Sequence, residues 1–345
     1  YLFNNTLQNM EQRGITTGFG FLSNAAGFGI LQSLIPYDET YTYGRTFFVG
    51  LLNTLLVAAL GIFFATFLGF FMGVARLSSN WLVARVATVY IETFRNIPLL
   101  LQILFWYFAV LQPLPRPRES LEFGAMFLNN RGLFLPKPMT EDGFGFVWIA
   151  FFIAIVAVVI IARWAHRRQE ATGQQFPTGW VGLGLIVGLP LLVFLFTGMP
   201  MHLEYPELKG FNFRGGIEII PELAALTLAL SIYTGTFIAE AVRSGIQAVS
   251  HGQTEAAYAL GLRPSRTMNL VIMPQALRVI VPPMISQYLN LTKNSSLAIA
   301  VGYPDLFFVG RTIINQAGRA VPVFIMVMAV YLSISLVTSA VMNFY

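Results

Sequence analysis

From Phe47 to Ala75 the chain runs without one charged side chain. Only a helix satisfies a backbone that long in an apolar medium, and a span needs about 20 residues to cross a bilayer core of about 30 Å. Further predominantly apolar stretches follow at Ile97–Leu111, Phe146–Ala162, Trp180–Phe196, Ile217–Ala241, within 279–300, and Val321–Phe344. The reading is an all-α integral membrane protein with about seven spans. Composition agrees: 56% of residues are hydrophobic and 11% charged, against about 25% charged in soluble domains. A β-barrel would show short alternating segments instead.

The net charge of +5 is gathered in a few loops, which fits membrane orientation and not nucleic-acid binding. No cysteine is present, so disulfides and cysteine-ligated zinc are excluded. His166, His202 and His251 lie far apart without ligand spacing, so no metal site is expected. No secretory signal stands at the start, and position 1 is Tyr.

The spans and loops divide the chain. Residues 1–46 are polar and precede the first two spans, 47–111. A charge-balanced, proline-rich loop fills 112–145. An added pair of spans, 146–197, brackets the basic loop 163–178. A second balanced loop, 198–216, leads into 217–345, which contains the polar hairpin 242–278. Segments 76–85, 163–178 and 242–278 alternate and are net basic, so they are assigned to the cytoplasm. Segments 1–46, 112–145, 198–216 and 301–320 then face the other side.

Gly61, Ala65, Gly69 and Gly73 recur at steps of four, a face along which another helix packs closely. Glu92, Arg95 and Asn96 read as an ion-pair network at the cytoplasmic edge. Glu222 and Glu240 stand at opposite ends of the fifth span, as boundary residues do. Arg163 to Arg168 form a positive anchor, with anionic membrane lipids as a second reading. The aromatics at 105–108 mark a membrane interface.

The hairpin carries helix signals throughout. Ser250 and Gln253 have the spacing of a capping box, and Glu255 suits the early turns. Ala256, Ala257 and Ala259 favour helix and leave little bulk. Gly261 is placed to end the helix in a left-handed conformation. Pro264 suits the first turn of a second helix, and Pro274 marks a break.

Glu255-Ala256-Ala257, then Gly261, then Val271-Ile272-Met273-Pro274 resembles the EAA signature of ABC-importer permeases, EAA-x3-G-x9-I-x-L-P. Val271 and Met273 replace the usual Ile and Leu. GLLNTLLVAALG (50–61), YIETFRNIPLLLQILFWY (90–107) and PQALRVIVPPMISQYLNLTKNSSLAIAVGYPDL (274–306) resemble the polar amino-acid permeases. NMEQRGITTGFGFLSNAAGFGI (9–30) and ARWAHRRQEATGQQF (162–176) resemble the general L-amino-acid branch (glutamate/glutamine/aspartate/asparagine type) of Gram-negative bacteria.

The resemblance implies a type I ABC-importer permease core with two additional spans, one more span upstream of Tyr1, and a short basic tail beyond Tyr345. It implies location in the bacterial inner membrane. Partners implied are a cytoplasmic ABC ATPase dimer carrying ATP and Mg²⁺, a second related permease chain forming a heterodimer, and a periplasmic amino-acid-binding protein. A helix at about Gln253–Leu260 would couple to the ATPase, with Gln253, Glu255, Ala256, Ala257, Leu260, Gly261, Pro264, Arg266 and Pro274 as the coupling residues. No G-x-x-x-x-G-K-[ST] loop occurs, so this chain is not expected to hydrolyse ATP and needs no cofactor of its own.

Polar groups inside a span point to function. Gln287, Asn290, Thr292, Lys293, Asn294, Ser295 and Ser296, with Ser286, are the candidate substrate path. Gln287, Asn290 and Asn294 share a helical face, and Lys293 would attract a carboxylate or else snorkel. Two rival classes remain at this stage. A secondary amino-acid transporter or channel without an ATPase would not explain the hairpin. A membrane enzyme would need a catalytic motif such as H-E-x-x-H or G-x-S-x-G, and neither occurs.

Overall fold

The structure is a computed structural model that describes residues 18–342. The first seventeen residues and the Phe344 end of the expected last span lie outside the described residues. In chain order come α1 (Tyr43–Arg76), α2 (Trp81–Asn96) and α3 (Leu99–Leu111). Four short strands follow, β1 (Leu121–Phe123), β2 (Met126–Asn129), β3 (Gly132–Leu135) and β4 (Lys137–Thr140). Next are α4 (Phe144–Thr172), α5 (Thr178–Phe196), β5 (Met201–Glu204), β6 (Glu207–Lys209), β7 (Asn212–Arg214) and β8 (Ile217–Ile219). The chain closes with α6 (Pro221–Gln247), α7 (His251–Ala259), α8 (Pro264–Ala300), α9 (Leu306–Ala317) and α10 (Ala320–Met342).

Among the described residues six helices are long and apolar enough to cross a membrane, and α2 with α3 makes a seventh if the bent pair is one span. The bend is 104°. It falls at Ile97 and Pro98, because a residue before proline is pushed out of the helical region; Ile97 has ψ of 126°. Gln102 closes the corner, donating to the Phe94 and Ile97 carbonyls at 2.8 and 2.9 Å.

The chain forms two compact units, 1–114 with 219–345, and 115–218. In the first, α6 is the central helix: 72% of its apolar window is buried. It packs on α1, α8, α2 and α3, and its Leu226, Leu230, Ile238 and Val242 are fully buried. The segment after α8 is pinned back onto α1. Asn53 donates to the Pro304 carbonyl at 2.9 Å, and the Leu306 N–H donates to Thr54 Oγ1 at 2.9 Å.

In the second unit α4 and α5 pack together as an antiparallel pair, with Gly182 against Val158. The expected loops are not plain loops. They form a sheet in the order β1-β2-β3-β8 and two antiparallel ladders, β4 with β5 and β6 with β7. The sequence signal was there in Gly124 and Gly210, which open two-residue hairpin turns at φ of +64° and +71°, a conformation that favours glycine. Phe213 stacks between Phe127 and Phe134 with centroids 4.5 and 5.1 Å away, giving these strands their own small core.

Candidate functional site

The hairpin folds as two helices joined at Gly261, whose φ is +75°. Its N–H and that of Leu262 donate to the Tyr258 and Ala257 carbonyls at 2.9 and 3.1 Å, which closes the end of α7. Ala257 is buried. Gln253, Glu255, Ala256, Leu260, Gly261, Pro264 and Arg266 are all exposed, Leu260 to 82%. The exposed apolar Tyr258 and Leu260 have no internal packing reason to be there.

Two local expectations are corrected. Ser250 holds the N-cap position, yet its side chain makes no capping bond. Gln253 is engaged elsewhere: its Oε1 accepts from Gln275 Nε2 at 3.3 Å. Glu255 instead pairs with His251 one turn back, at 3.0 Å.

Pro274 does not break the chain. Residues Met268–Ile272 form one wide π turn, and a wider turn gives the proline ring room beside the preceding carbonyls. Gln275 Nε2 donates to the Val271 carbonyl at 2.9 Å within the same stretch. The second arm of the hairpin is therefore the start of α8, which runs from Pro264 to Ala300 and not merely through 279–300.

Farther along α8 the polar residues divide. Gln287, Asn290, Lys293 and Asn294 line a pocket of about 290 Å³ together with Tyr233, Thr234 and Phe237 of α6. Thr292 and Ser295 are buried and donate to the Tyr288 and Thr292 carbonyls. Ser296 donates to the Lys293 carbonyl at 2.8 Å. Thr292, Ser295 and Ser296 thus satisfy their own helix, and none of the three lines the pocket. Ser286 is exposed and also outside it. The α6 residues were missed from sequence, although SIYTGTF (231–237) interrupts an apolar span with hydroxyls.

The charged cluster is arranged differently from the expectation. Glu92 and Arg95 belong to an ion-pair network, but they enter it through Arg76 and Glu240 and not through each other. Asn96 donates to the Glu92 backbone carbonyl at 2.6 Å, and Arg95 lies 5.5 Å over the Phe237 ring. Glu92 pairs with Arg76 at 3.2 Å. Arg76 also pairs with Glu240 at 2.8 Å, and Glu240 takes Arg243 as well. Glu240 is the hub and not a boundary residue. Glu222 accepts from the Tyr107 hydroxyl at 2.8 Å, so the interface aromatics include a helix-tying contact.

The small residues of α1 sit against α6 and α8. An added Cβ at Gly69 would stand 2.6 Å from Ile238 Cβ, and at Gly73 2.6 Å from the Ala239 carbonyl oxygen. At Gly61 it would meet Leu291 at 3.0 Å, and Ala65 is fully buried. Among the described residues no three His, Asp or Glu side chains come together as metal ligands would. His166 and His202 each face a carboxylate, Glu170 and Glu141, on the surface.

Residues 173–345 match the family described as "Binding-protein-dependent transport system inner membrane component". Over its whole length the chain is 56% identical to the general L-amino acid transport system permease protein AapQ of Rhizobium johnstonii, covering 86% of that protein. It is also 56% identical to the putative amino-acid ABC transporter permease protein YhdX of Escherichia coli, covering 88% of it. It is 48% identical to the glutamate/glutamine/aspartate/asparagine transport system permease protein BztB of Rhodobacter capsulatus, again with 88% covered. A solved structure described as an amino acid ABC transporter with histidines superposes with a TM-score of 0.51 at 21% identity. It covers 88% of this chain and 93% of that one, a likeness of fold.

Proposed function

The chain belongs to the inner membrane components of binding-protein-dependent transport systems, and from that membership we propose that it is a permease subunit importing polar L-amino acids. ATP, with its Mg²⁺, is hydrolysed in a separate cytoplasmic ATPase dimer, not in this chain. A periplasmic binding protein delivers the amino acid, and a second, related permease chain completes a heterodimeric path through the bacterial inner membrane.

The observation that carries the reading is the hairpin. α7 is a short stiff helix with an outward apolar tip at Tyr258 and Leu260, held at a fixed angle by Gly261. It is seated directly ahead of α8, the helix that lines the polar pocket. A partner that grips α7 and changes shape with nucleotide can therefore bias α8 between two positions. Gln287, Asn290 and Asn294 offer hydrogen bonds to a desolvated zwitterion, and Lys293 offers a positive charge to its carboxylate. Tyr233 and Phe237 supply the apolar wall.

The test is reconstitution. The tagged chain is isolated with its co-purifying partners, placed in liposomes and assayed for uptake of radiolabelled glutamate, glutamine, aspartate and asparagine. Uptake that requires ATP and the binding protein is expected. Uptake by the chain alone, without ATP, would overturn the reading in favour of a secondary transporter.

A further inference from the structure

The strand-bearing unit holds a pocket of about 430 Å³ that the transport pathway does not use. Arg116, Arg118 and Arg131 line it, with one acid, Glu119. The frame is built. The short turn Pro117–Glu119 and the β2–β3 turn are tied by Asn129 Nδ2 donating to Ser120 Oγ at 3.0 Å. Asn129 Oδ1 accepts the Arg131 N–H at 2.8 Å, which sets the direction of that residue. Arg118 lies 5.5 Å over the Phe211 ring, and Phe211 is 76% exposed.

None of the three guanidinium groups pairs with a carboxylate among the described residues. On the neighbouring ladders Lys209 pairs with Glu207 at 3.0 Å, and His202 Nδ1 lies 2.7 Å from Glu141 Oε1. Three arginines thus share one pocket with a single acid, while Glu122, Glu141 and Asp142 of the same balanced segment lie outside it. A guanidinium fork is made for carboxylates. Arginine beside exposed aromatics is also the composition of protein interface hot spots. β1 and β2 add exposed Phe123 and Met126.

We propose that this pocket receives a carboxylate side chain of the substrate-delivering binding protein and is a docking anchor for it. The proposal rests on the transport reading above, which puts these strand segments, 112–145 and 198–216, on the periplasmic side. A free amino acid is the less favoured occupant. Ion pairs left exposed to water contribute little, whereas a docked protein would also cover Phe211 and exclude water from the arginines. The cationic cluster would in addition speed encounter with an acidic surface.

The test uses the assembled transporter in nanodiscs and its fluorescently labelled binding protein. Arg116→Glu with Arg131→Glu should weaken binding at least tenfold and flatten its salt dependence, with ATP hydrolysis recovering at saturating binding protein. Arg118 is left in place because it stacks on Phe211. If the charge-reversed pair does not assemble, Arg116→Gln with Arg131→Gln is read in the same way, with a threefold or greater loss expected. A wild-type complex stimulated by the binding protein, with unchanged affinity in the variants, overturns the docking site alone. A wild-type complex with no stimulation overturns the transport reading and the docking site together. In a second arm, free glutamate is titrated into the transporter without binding protein. Binding that disappears in the arginine variants would make this a small-molecule site and overturn the proposal.

Discussion

Arg76 Nη1 donates to Glu240 Oε2 at 2.8 Å, joining the end of α1 to the last turns of α6. The same carboxylate takes Arg243, and Arg76 reaches on to Glu92 of α2. Arg76 thus ties three helices, α1 to α6 through the partly buried Glu240 and to α2 through Glu92. Glu240→Gln should lower stability by about 2 kcal/mol, between the small effect of an exposed pair and the large effect of a buried one. Thermal unfolding in detergent measures it. A double mutant with Arg76→Met whose losses simply add would show that the two residues are not coupled.

Gly69→Ala should destabilise by about 1–3 kcal/mol, because the new methyl must push Ile238 or the helix backbone aside. Gly184→Ala in α5 is the control, since nothing lies within 4 Å of its added Cβ. It should be neutral or slightly stabilising. Equal unfolding temperatures for the two variants would contradict the close approach of α1 and α6.

Ala256→Trp should abolish binding-protein-stimulated ATP hydrolysis without lowering the unfolding temperature, because Ala256 faces out of the fold. Gly261→Val should do the same by a different route. A β-branched residue at φ of +75° is strained by about 1–3 kcal/mol and would swing α7 from its place. Stimulated hydrolysis at the wild-type rate in both variants would remove α7 from the coupling path.

Asn290→Leu should reduce kcat/KM for uptake at least tenfold while the complex assembles normally. Thr292→Val should have little effect on substrate affinity, since that hydroxyl serves the Tyr288 carbonyl inside the helix. The comparison of the two separates the pocket face of α8 from its packed face. A larger affinity loss for Thr292→Val would reverse the assignment.

Asp305 caps α9, with Oδ1 accepting the Phe308 N–H at 2.8 Å. Burial pushes its carboxyl up from the ordinary 3.8 to about 7. The folded protein therefore holds this proton more tightly than the unfolded chain does. Stability is greatest at low pH and falls as pH rises from about 4 to about 7. Unfolding temperatures measured from pH 5 to 8 should show the fall in wild type. Asp305→Asn keeps the cap and loses the titration, so its profile should be flat over that range. A wild-type profile that rises instead would contradict the buried, protonated carboxyl.

How much could be read from sequence depended on the range of the interaction. Gly261 and Pro264 were legible because a positive φ and a fixed φ are local demands. The small-residue face of α1 was legible because helical periodicity is local too. Pro274 misled, because whether a proline breaks a helix depends on the turn before it, and a π turn has no clear residue signature. Glu240 was hidden for a different reason. Its partner Arg76 lies 164 positions away, and only the folded arrangement shows which of several acids the arginine meets. The strands at 121–140 and 201–219 escaped because three- and four-residue ladders are too short for alternation to stand out. Within the polar run 286–296, spacing alone could not show which hydroxyls were already used by their own backbone.

The π turn at Met268–Ile272 has a mechanical corollary. Because the helix continues through Pro274, Arg266, just past the Gly261 turn, and the side chains around Asn290 belong to one connecting rod. A tilt imposed at one end is carried toward the other along a continuous helical backbone. A flexible linker at the proline would have absorbed the stroke before it reached the pocket.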